Sequence, residues 1–148
     1  MIIYNATDLA DTTPGEDLWR YSYGVSGVAF FADQGFNVSF DRNLCTKLES
    51  PPPPVNADWD PLTIQPDLAL DSDGFYDAQA TRDNPSLANP FTLKFVWLGT
   101  GTPAAQPFTI YNADFSTREQ GVTAPEPSAV ALLGAGLGML STLGARRR

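Results

Sequence analysis

Hydrophobic and polar residues alternate along much of this chain, and that alternation predicts β-strands with one buried face. The clearest case is residues 18–31, where aromatic or branched side chains are separated by small or polar ones. Trp19, Tyr21 and Tyr23 fall on one face of this predicted strand. A stripe of this kind is typical of a protein core, so we expect these three side chains to be buried.

Further short alternating or apolar runs predict strands at residues 35–41, 91–98 and 107–115. Residues 32–35 form a plausible turn between the strands at 18–31 and 35–41. The glycine-containing residues 99–103 predict a hairpin loop between the last two strands.

Proline positions refine this pattern. Pro51 to Pro54 are four consecutive prolines, which force an extended connector. The residues on either side still have a globular composition, so this connector is a loop within one domain. Residues 58–70 have room for one short strand, which Pro61 and Pro66 confine to a sheet edge or a loop.

Short strands broken by Gly, Pro and Asn, without a sustained helical period before the C-terminal tail, are typical of an antiparallel β-sandwich. We therefore predict an all-β, jelly-roll-like sandwich over residues 1–122. About 120 residues suit one domain of ordinary size and are too few for two.

The C-terminal tail has a different pattern. Residues 129–145 carry no charge, and as a helix they would extend about 25 Å, slightly less than the ~30 Å hydrocarbon core of a membrane. Arg146, Arg147 and Arg148 follow directly and would hold that end on the cytoplasmic side. This pattern predicts a transmembrane helix with residues 1–128 facing outward. A buried helix of a soluble domain and a simple anchor are the alternatives.

Pro125, Glu126, Pro127 and Ser128 precede this span, and two prolines keep the motif extended outside the membrane. The motif, the apolar span and the basic end together resemble a PEP-CTERM sorting signal, the substrate of bacterial exosortases. The resemblance implies export in a Gram-negative-type bacterium and temporary anchoring in the inner membrane. It also implies cleavage near the motif by an exosortase, a membrane-embedded cysteine peptidase, and delivery to the cell surface or extracellular matrix.

Export requires a leader, yet residues 1–14 have neither a basic region nor an apolar stretch of useful length. We therefore expect the true start of the protein to lie upstream and the sandwich to be truncated at its N-terminus.

Charge and composition narrow the choice of chemistry. Three of the nine basic residues are the terminal arginines, so residues 1–127 carry six basic against 17 acidic residues, a net charge of −11. Such an excess disfavours nucleic acid as a partner. The chain has no histidine, which excludes Ser-His-Asp and Cys-His catalysis and most zinc sites. The single cysteine, Cys45, is expected to be a buried apolar residue.

The acidic segment 71–77 is the candidate metal site. Asp71 and Asp73 alternate, Gly74 permits a sharp turn, and Asp77 would fold back toward them. Several carboxylate oxygens would then bind Ca²⁺, the one cofactor to which the sequence points. The segment lacks the distal glutamate of an EF-hand, and a solvated turn is the alternative.

Aromatic residues suggest a second kind of site, because sugar-binding sandwiches stack aromatic rings on pyranose rings. Trp59 and Tyr76 are the candidates for such stacking, and both lie near acidic residues. Burial in the core is the alternative for each aromatic residue. A glycoside hydrolase would need two carboxylates at a set separation, which no sequence pattern supplies.

The body of the chain also resembles a recurrent ectodomain of PEP-CTERM proteins, a family with no assigned activity. The similarity lies in five short segments spread over most of the chain: 35–36, 58–60, 74–78, 95–99 and 106–108. The sequence thus predicts an exported structural or adhesive component of the envelope or exopolysaccharide matrix. A carbohydrate-binding module, with or without calcium, is the first alternative, and a hydrolase is the second.

Overall fold

The computed structural model describes residues 1–127, which form ten β-strands and no helix. The strands are β1 (Ile2–Asp8), β2 (Asp17–Val25), β3 (Gly35–Phe40), β4 (Cys45–Thr46), β5 (Trp59–Ile64), β6 (Gly74–Ala80), β7 (Phe91–Trp97), β8 (Pro107–Tyr111), β9 (Thr117–Val122) and β10 (Ala124–Pro125). Among these described residues, none belongs to a helix capable of crossing a membrane.

The strands form two five-stranded sheets. Sheet I has the order β10-β1-β2-β7-β4, and sheet II has the order β5-β6-β3-β8-β9. All neighbours are antiparallel except β1 and β10, which are parallel. The predicted all-β class and two-sheet sandwich are confirmed.

The core lies between the sheets and is rich in aromatic residues. Trp19, Tyr21 and Tyr23 point inward from β2, as their spacing predicts, and all three are buried. Tyr21 stacks on Phe95 of β7 with ring centroids 5.0 Å apart. Phe36 of β3 also lies in the core, where its ring packs edge-to-face against two neighbouring aromatic rings. These offset and perpendicular ring arrangements are the favourable ones, and each adds about 0.5–1.5 kcal/mol beyond the burial of apolar area.

One polar side chain in this core forms hydrogen bonds to both sheets. Gln106 accepts a hydrogen bond from the Tyr23 hydroxyl (2.5 Å) and donates one to the carbonyl of Ser39 (3.0 Å). Its backbone N–H donates to the buried Thr123 hydroxyl at 2.9 Å. Because Tyr23 lies in sheet I and Ser39 in sheet II, the Gln106 side chain ties the two sheets together through hydrogen bonds of both its amide oxygen and its amide nitrogen.

The predicted hairpin at residues 99–103 is wrong, because β7 belongs to sheet I and β8 to sheet II. The turn at 32–35 likewise leads from β2 in sheet I to β3 in sheet II. Both segments break the strand pattern, as their composition predicts. A tight turn and a crossing between sheets share the same local composition, so the packing of the two sheets decides which one forms.

The alternation of hydrophobic and polar residues did not predict three of the longer strands, β1, β6 and β9. In β6, glycine and alanine take most of the inward positions, so its alternation is weak. In β9, almost every side chain is exposed because the strand lies at a sheet edge. β1 pairs with β2 along its whole length, although only Ile2 is fully buried. These strands form by pairing with their neighbours, which the local sequence does not reveal.

The structure confirms β5 as an edge strand, paired with β6 alone. Pro61 lies within it, where the missing N–H costs least. At the other end of the chain, ordered pairing extends past the predicted domain boundary at residue 122. Thr123 is buried, and Ala124 and Pro125 pair with β1, so the sandwich continues to Pro125.

Cys45 is buried, as predicted, and lies at the start of β4. Burial raises the pKa of its thiol to about 12, and the nearby carboxylates of Asp41 and Asp73 add to the shift. A thiol that stays protonated is a poor nucleophile.

Candidate functional site

The two aromatic residues predicted to stack on sugar rings lie in the core, so this prediction is wrong. Trp59 is 4% exposed and Tyr76 is 0% exposed. Trp59 packs edge-to-face on Phe30 and Phe91, and its indole N–H donates to the carbonyl of Ser86 at 2.8 Å. Neither ring has a free face, because both point inward from strands whose opposite side chains face the solvent.

The predicted calcium ligands do not converge. Asp71 and Asp73 both bind the guanidinium of Arg42, at 2.7 and 2.9 Å, and Asp73 also accepts from the Arg42 backbone N–H. Asp77 lies within β6 and accepts a hydrogen bond from the Tyr111 hydroxyl. The predicted site is therefore not assembled, because Arg42 already supplies the cation and the chain after Gly74 is a strand.

A different trio of carboxylates comes together where β1 leads into β2. One oxygen each from Asp8, Asp11 and Asp17 lies within 4.8 Å of the others. Asp11 already accepts a hydrogen bond from the backbone N–H of Leu18. Three aspartates within ten residues were visible in the sequence, but only the β1–β2 pairing brings their side chains close.

The start of the proposed sorting motif lies on the fold. Pro125 is the last residue of β10 beside β1, and the Glu126 N–H donates to the Tyr4 carbonyl at 2.8 Å. Ser128, the predicted membrane helix at 129–145 and the arginines at 146–148 lie outside the described residues.

Strand register places one row of side chains across the outer face of sheet II. On the outward side, Leu62 of β5 pairs with Asp77 of β6, and Asp77 pairs with Asn37 of β3. Asn37 in turn pairs with Thr109 of β8, and Thr109 with Gln120 of β9. These five residues make one row across all five strands, and because four of them are polar we call the row the polar track.

A depression of ≈ 300 Å³ lies at one end of the polar track. Its apolar walls come from three elements: Leu62 and Ile64 from β5, Phe75 from β6, and Phe115 from the β8–β9 turn. Asn37 and Asp77 are its polar lining. Apolar walls around a few polar groups are the usual composition of a ligand site.

Phe115 is held in a conformation that bulky residues rarely adopt, with φ of 64°. Its N–H donates to the Asn112 carbonyl at 2.8 Å, and Ser116 donates to Asp114 through both its N–H and its hydroxyl. These bonds fix the turn, and they lower the pKa of Asp114. The Phe115 ring packs against Tyr111 but remains 72% exposed.

Asp77 has an unusual environment for a carboxylate. Burial raises its pKa to about 6, repulsion from Asp60 adds to the shift, and the hydrogen bond from Tyr111 opposes it. The Tyr111 hydroxyl lies 3.1 Å from Asp77 Oδ2. Asp77 is therefore a half-buried group that changes its protonation state at mildly acidic pH.

The position of Tyr111 depends on Gly35. A β-carbon on Gly35 would lie 2.5 Å from the Tyr111 hydroxyl oxygen and 2.2 Å from the carbonyl oxygen of Ala78. Only glycine permits this approach, so Tyr111 lies over β3 and reaches Asp77 on β6. Sequence reasoning missed Phe75 and Phe115 as surface residues, and it missed Tyr111 as the buried partner of Asp77, because the strand pattern does not say which face is covered.

Comparisons with protein-family models, with curated protein sequences and with solved structures find no match to this chain.

Proposed function

We propose that this chain is an exported protein, sorted by an exosortase-like membrane peptidase through its C-terminal tail. Its sandwich then serves as a structural or adhesive component of the cell envelope or exopolysaccharide matrix. The observation that carries the proposal is the tail itself, with Pro125 to Ser128, the uncharged residues 129–145 and the basic residues 146–148 in this order. Residues 129–145 act as a transmembrane helix in this proposal.

The fold supports such an arrangement at its C-terminal end. The motif begins at Pro125, the last residue of β10, so the rest of the motif follows the last strand of the sandwich. A peptidase that cuts beyond Glu126 would release a domain that keeps all ten strands. Cleavage before Thr123 would remove β10 and the bond to Gln106.

The proposed route follows from this order. The protein is anchored in the inner membrane until the tail is cut, with the sandwich on the outer side, and it then reaches the cell surface or the matrix. The net charge of −11 over residues 1–127 favours solubility and disfavours nucleic acid as a partner. The jelly-roll-like arrangement belongs to the same proposal, with support from the several connections that cross between the sheets.

Expression with an added leader in matched hosts with and without an exosortase tests the sorting proposal. The mature protein is expected to lose its tail only in the host with the enzyme, and intact mass measures this loss. Glu126→Gln is expected to slow processing, whereas Glu119→Gln on the exposed edge strand β9 is the matched control. Equal mass in both hosts would refute the proposal.

A carbohydrate-binding module is the second candidate function, and one observation favours it. The outer face of sheet II combines exposed apolar side chains with hydrogen-bonding groups around one depression, although the residues differ from those predicted. Such a surface would give an adhesive protein its contact with the matrix.

A further inference from the structure

We propose that the polar track and its depression on the outer face of sheet II bind an uncharged, chain-like polysaccharide. Phe115 and Phe75 would pack on the apolar faces of the sugar rings, and Asn37 and Asp77 would hydrogen-bond their hydroxyls. This inference deepens the adhesive role proposed above, but its evidence comes from the sandwich alone.

The apolar walls are the first step of the argument. Leu62, Ile64 and Phe115 are 44%, 54% and 72% exposed, and all three line the same depression. Single exposed apolar residues are ordinary, whereas a contiguous group marks an interaction site. Sugar rings present apolar C–H faces that match such walls.

The turn that carries Phe115 is the second step. A bulky residue at positive φ is strained, and such strain persists only where the surrounding structure holds it. Here the hydrogen bonds of Asn112, Asp114 and Ser116 hold the turn, yet the Phe115 ring gains little burial from it. The turn therefore presents an exposed ring in a fixed position, which lowers the entropy lost when a ligand binds.

The shape of the ligand follows from strand register. The polar track crosses five adjacent strands, and neighbouring strands lie about 4.8 Å apart, so the track is about 19 Å long. Amide, carboxyl and hydroxyl groups recur along it at Gln120, Thr109, Asn37 and Asp77. A straight row of this length suits an extended polymer better than a compact small molecule.

The charge of the track and the depression disfavours anionic ligands. Neither the track nor the depression contains a lysine or arginine, and Asp60 on β5 adds a second carboxylate near Asp77. An anionic polysaccharide or a nucleic acid would be repelled here. An uncharged polysaccharide supplies both hydroxyl groups for the track and apolar ring faces for the depression.

Binding of defined polysaccharides to the full chain in detergent micelles tests this proposal. The probes are the neutral polymers dextran, galactomannan and xyloglucan, with alginate as the anionic comparison, measured by affinity electrophoresis and calorimetry. We expect at least one neutral polymer to bind and alginate to bind far more weakly.

Phe115→Ala is expected to weaken that binding about tenfold, and Asn37→Ala to weaken it by a comparable factor. Phe31→Ala is the matched control, because Phe31 is also an exposed phenylalanine (57%) but lies outside the depression. Thermal melting of each variant verifies that the sandwich stays folded.

Four results would overturn the proposal: no binding of any neutral polymer, equal binding by alginate, unchanged binding by Phe115→Ala, or dimerisation of the native chain that Phe115→Ala abolishes. The last result would assign the face to contact between copies of the chain. None of these results depends on tail removal, so the binding proposal and the sorting proposal fail separately.

Discussion

Replacement of Asp77 with asparagine is expected to stabilise the folded protein near neutral pH. The Asp77 carboxyl lies half-buried on sheet II, and burial together with the nearby Asp60 raises its pKa from 3.8 to about 6. Asparagine has nearly the same shape and keeps an oxygen that accepts the hydrogen bond from Tyr111. The variant therefore removes the unfavourable charge and retains the contact.

The sign follows from the direction of the pKa shift. The folded protein holds the Asp77 proton more tightly than the unfolded chain, so ionisation of this group favours unfolding. Its contribution to stability is complete below pH 3.8 and is lost as the pH rises through about 6. The groups that face it are the carboxylate of Asp60 and the hydroxyl of Tyr111, and neither supplies a compensating positive charge.

The magnitude is set by the size of the shift. A shift of about two pH units corresponds to about 3 kcal/mol. Asp77 remains partly exposed, and screening by solvent reduces the expected effect to about 1–2 kcal/mol. For a domain of this size that corresponds to an increase in Tm of about 4–8 °C at pH 7.5.

Thermal melting of the native chain and of Asp77→Asn at pH 3.5, 5 and 7.5 measures the effect. The two Tm values are expected to agree at pH 3.5 and to diverge as the pH rises. Glu119→Gln is the control for the loss of one exposed carboxylate and is expected to change Tm little at any pH. A variant that is less stable than the native chain at pH 7.5, or equally stable throughout, would refute the reasoning.

Three other predictions follow from the packing. Gly35→Ala is expected to lower the free energy of unfolding by about 3 kcal/mol in urea denaturation, because its β-carbon would lie 2.2 Å from the carbonyl oxygen of Ala78; a change below 1 kcal/mol would contradict this contact. A chain that ends at Val122 is expected to be about 2 kcal/mol less stable in urea than one that ends at Pro127, because it lacks β10 and the buried Thr123; equal stability would place β10 outside the cooperative fold. Cys45 is expected to react with iodoacetamide at least a hundredfold more slowly in the native state than in urea, because it is buried and its pKa is raised to about 12; comparable rates followed by mass spectrometry would contradict its burial.

The two failed predictions of sugar-stacking residues share one physical cause. Alternation divides the side chains of a strand between two faces, but a separate fact of tertiary structure decides which face the other sheet covers. Trp59 and Tyr76 lie on the covered faces of β5 and β6, whereas Phe75 lies on the open face next to Tyr76. Aromatic residues are thus present on both faces of these strands. The sequence predicts Trp59 and Tyr76 for the exposed site, whereas Phe75 is the one on the open face.

The amino-acid sequence by itself determined the all-β class, the inward stripe of β2 and the restriction of the segment with Pro61 to a sheet edge or a loop. These features are local, because period-two alternation and the missing N–H of proline act within a few residues. The acidic charge, the absence of histidine and the pattern of the tail are likewise properties of the chain as written.

Only the tertiary structure decided which sheet each strand joins and which side chains meet. Asp77 and Tyr111 are 34 residues apart and form one contact because β3 lies between their strands and Gly35 leaves room above it. Arg42 neutralises Asp71 and Asp73 of the predicted calcium loop from a segment about 30 residues earlier in the chain. Contacts of this kind depend on strand order, and strand order comes from packing the whole core at once rather than from any local pattern.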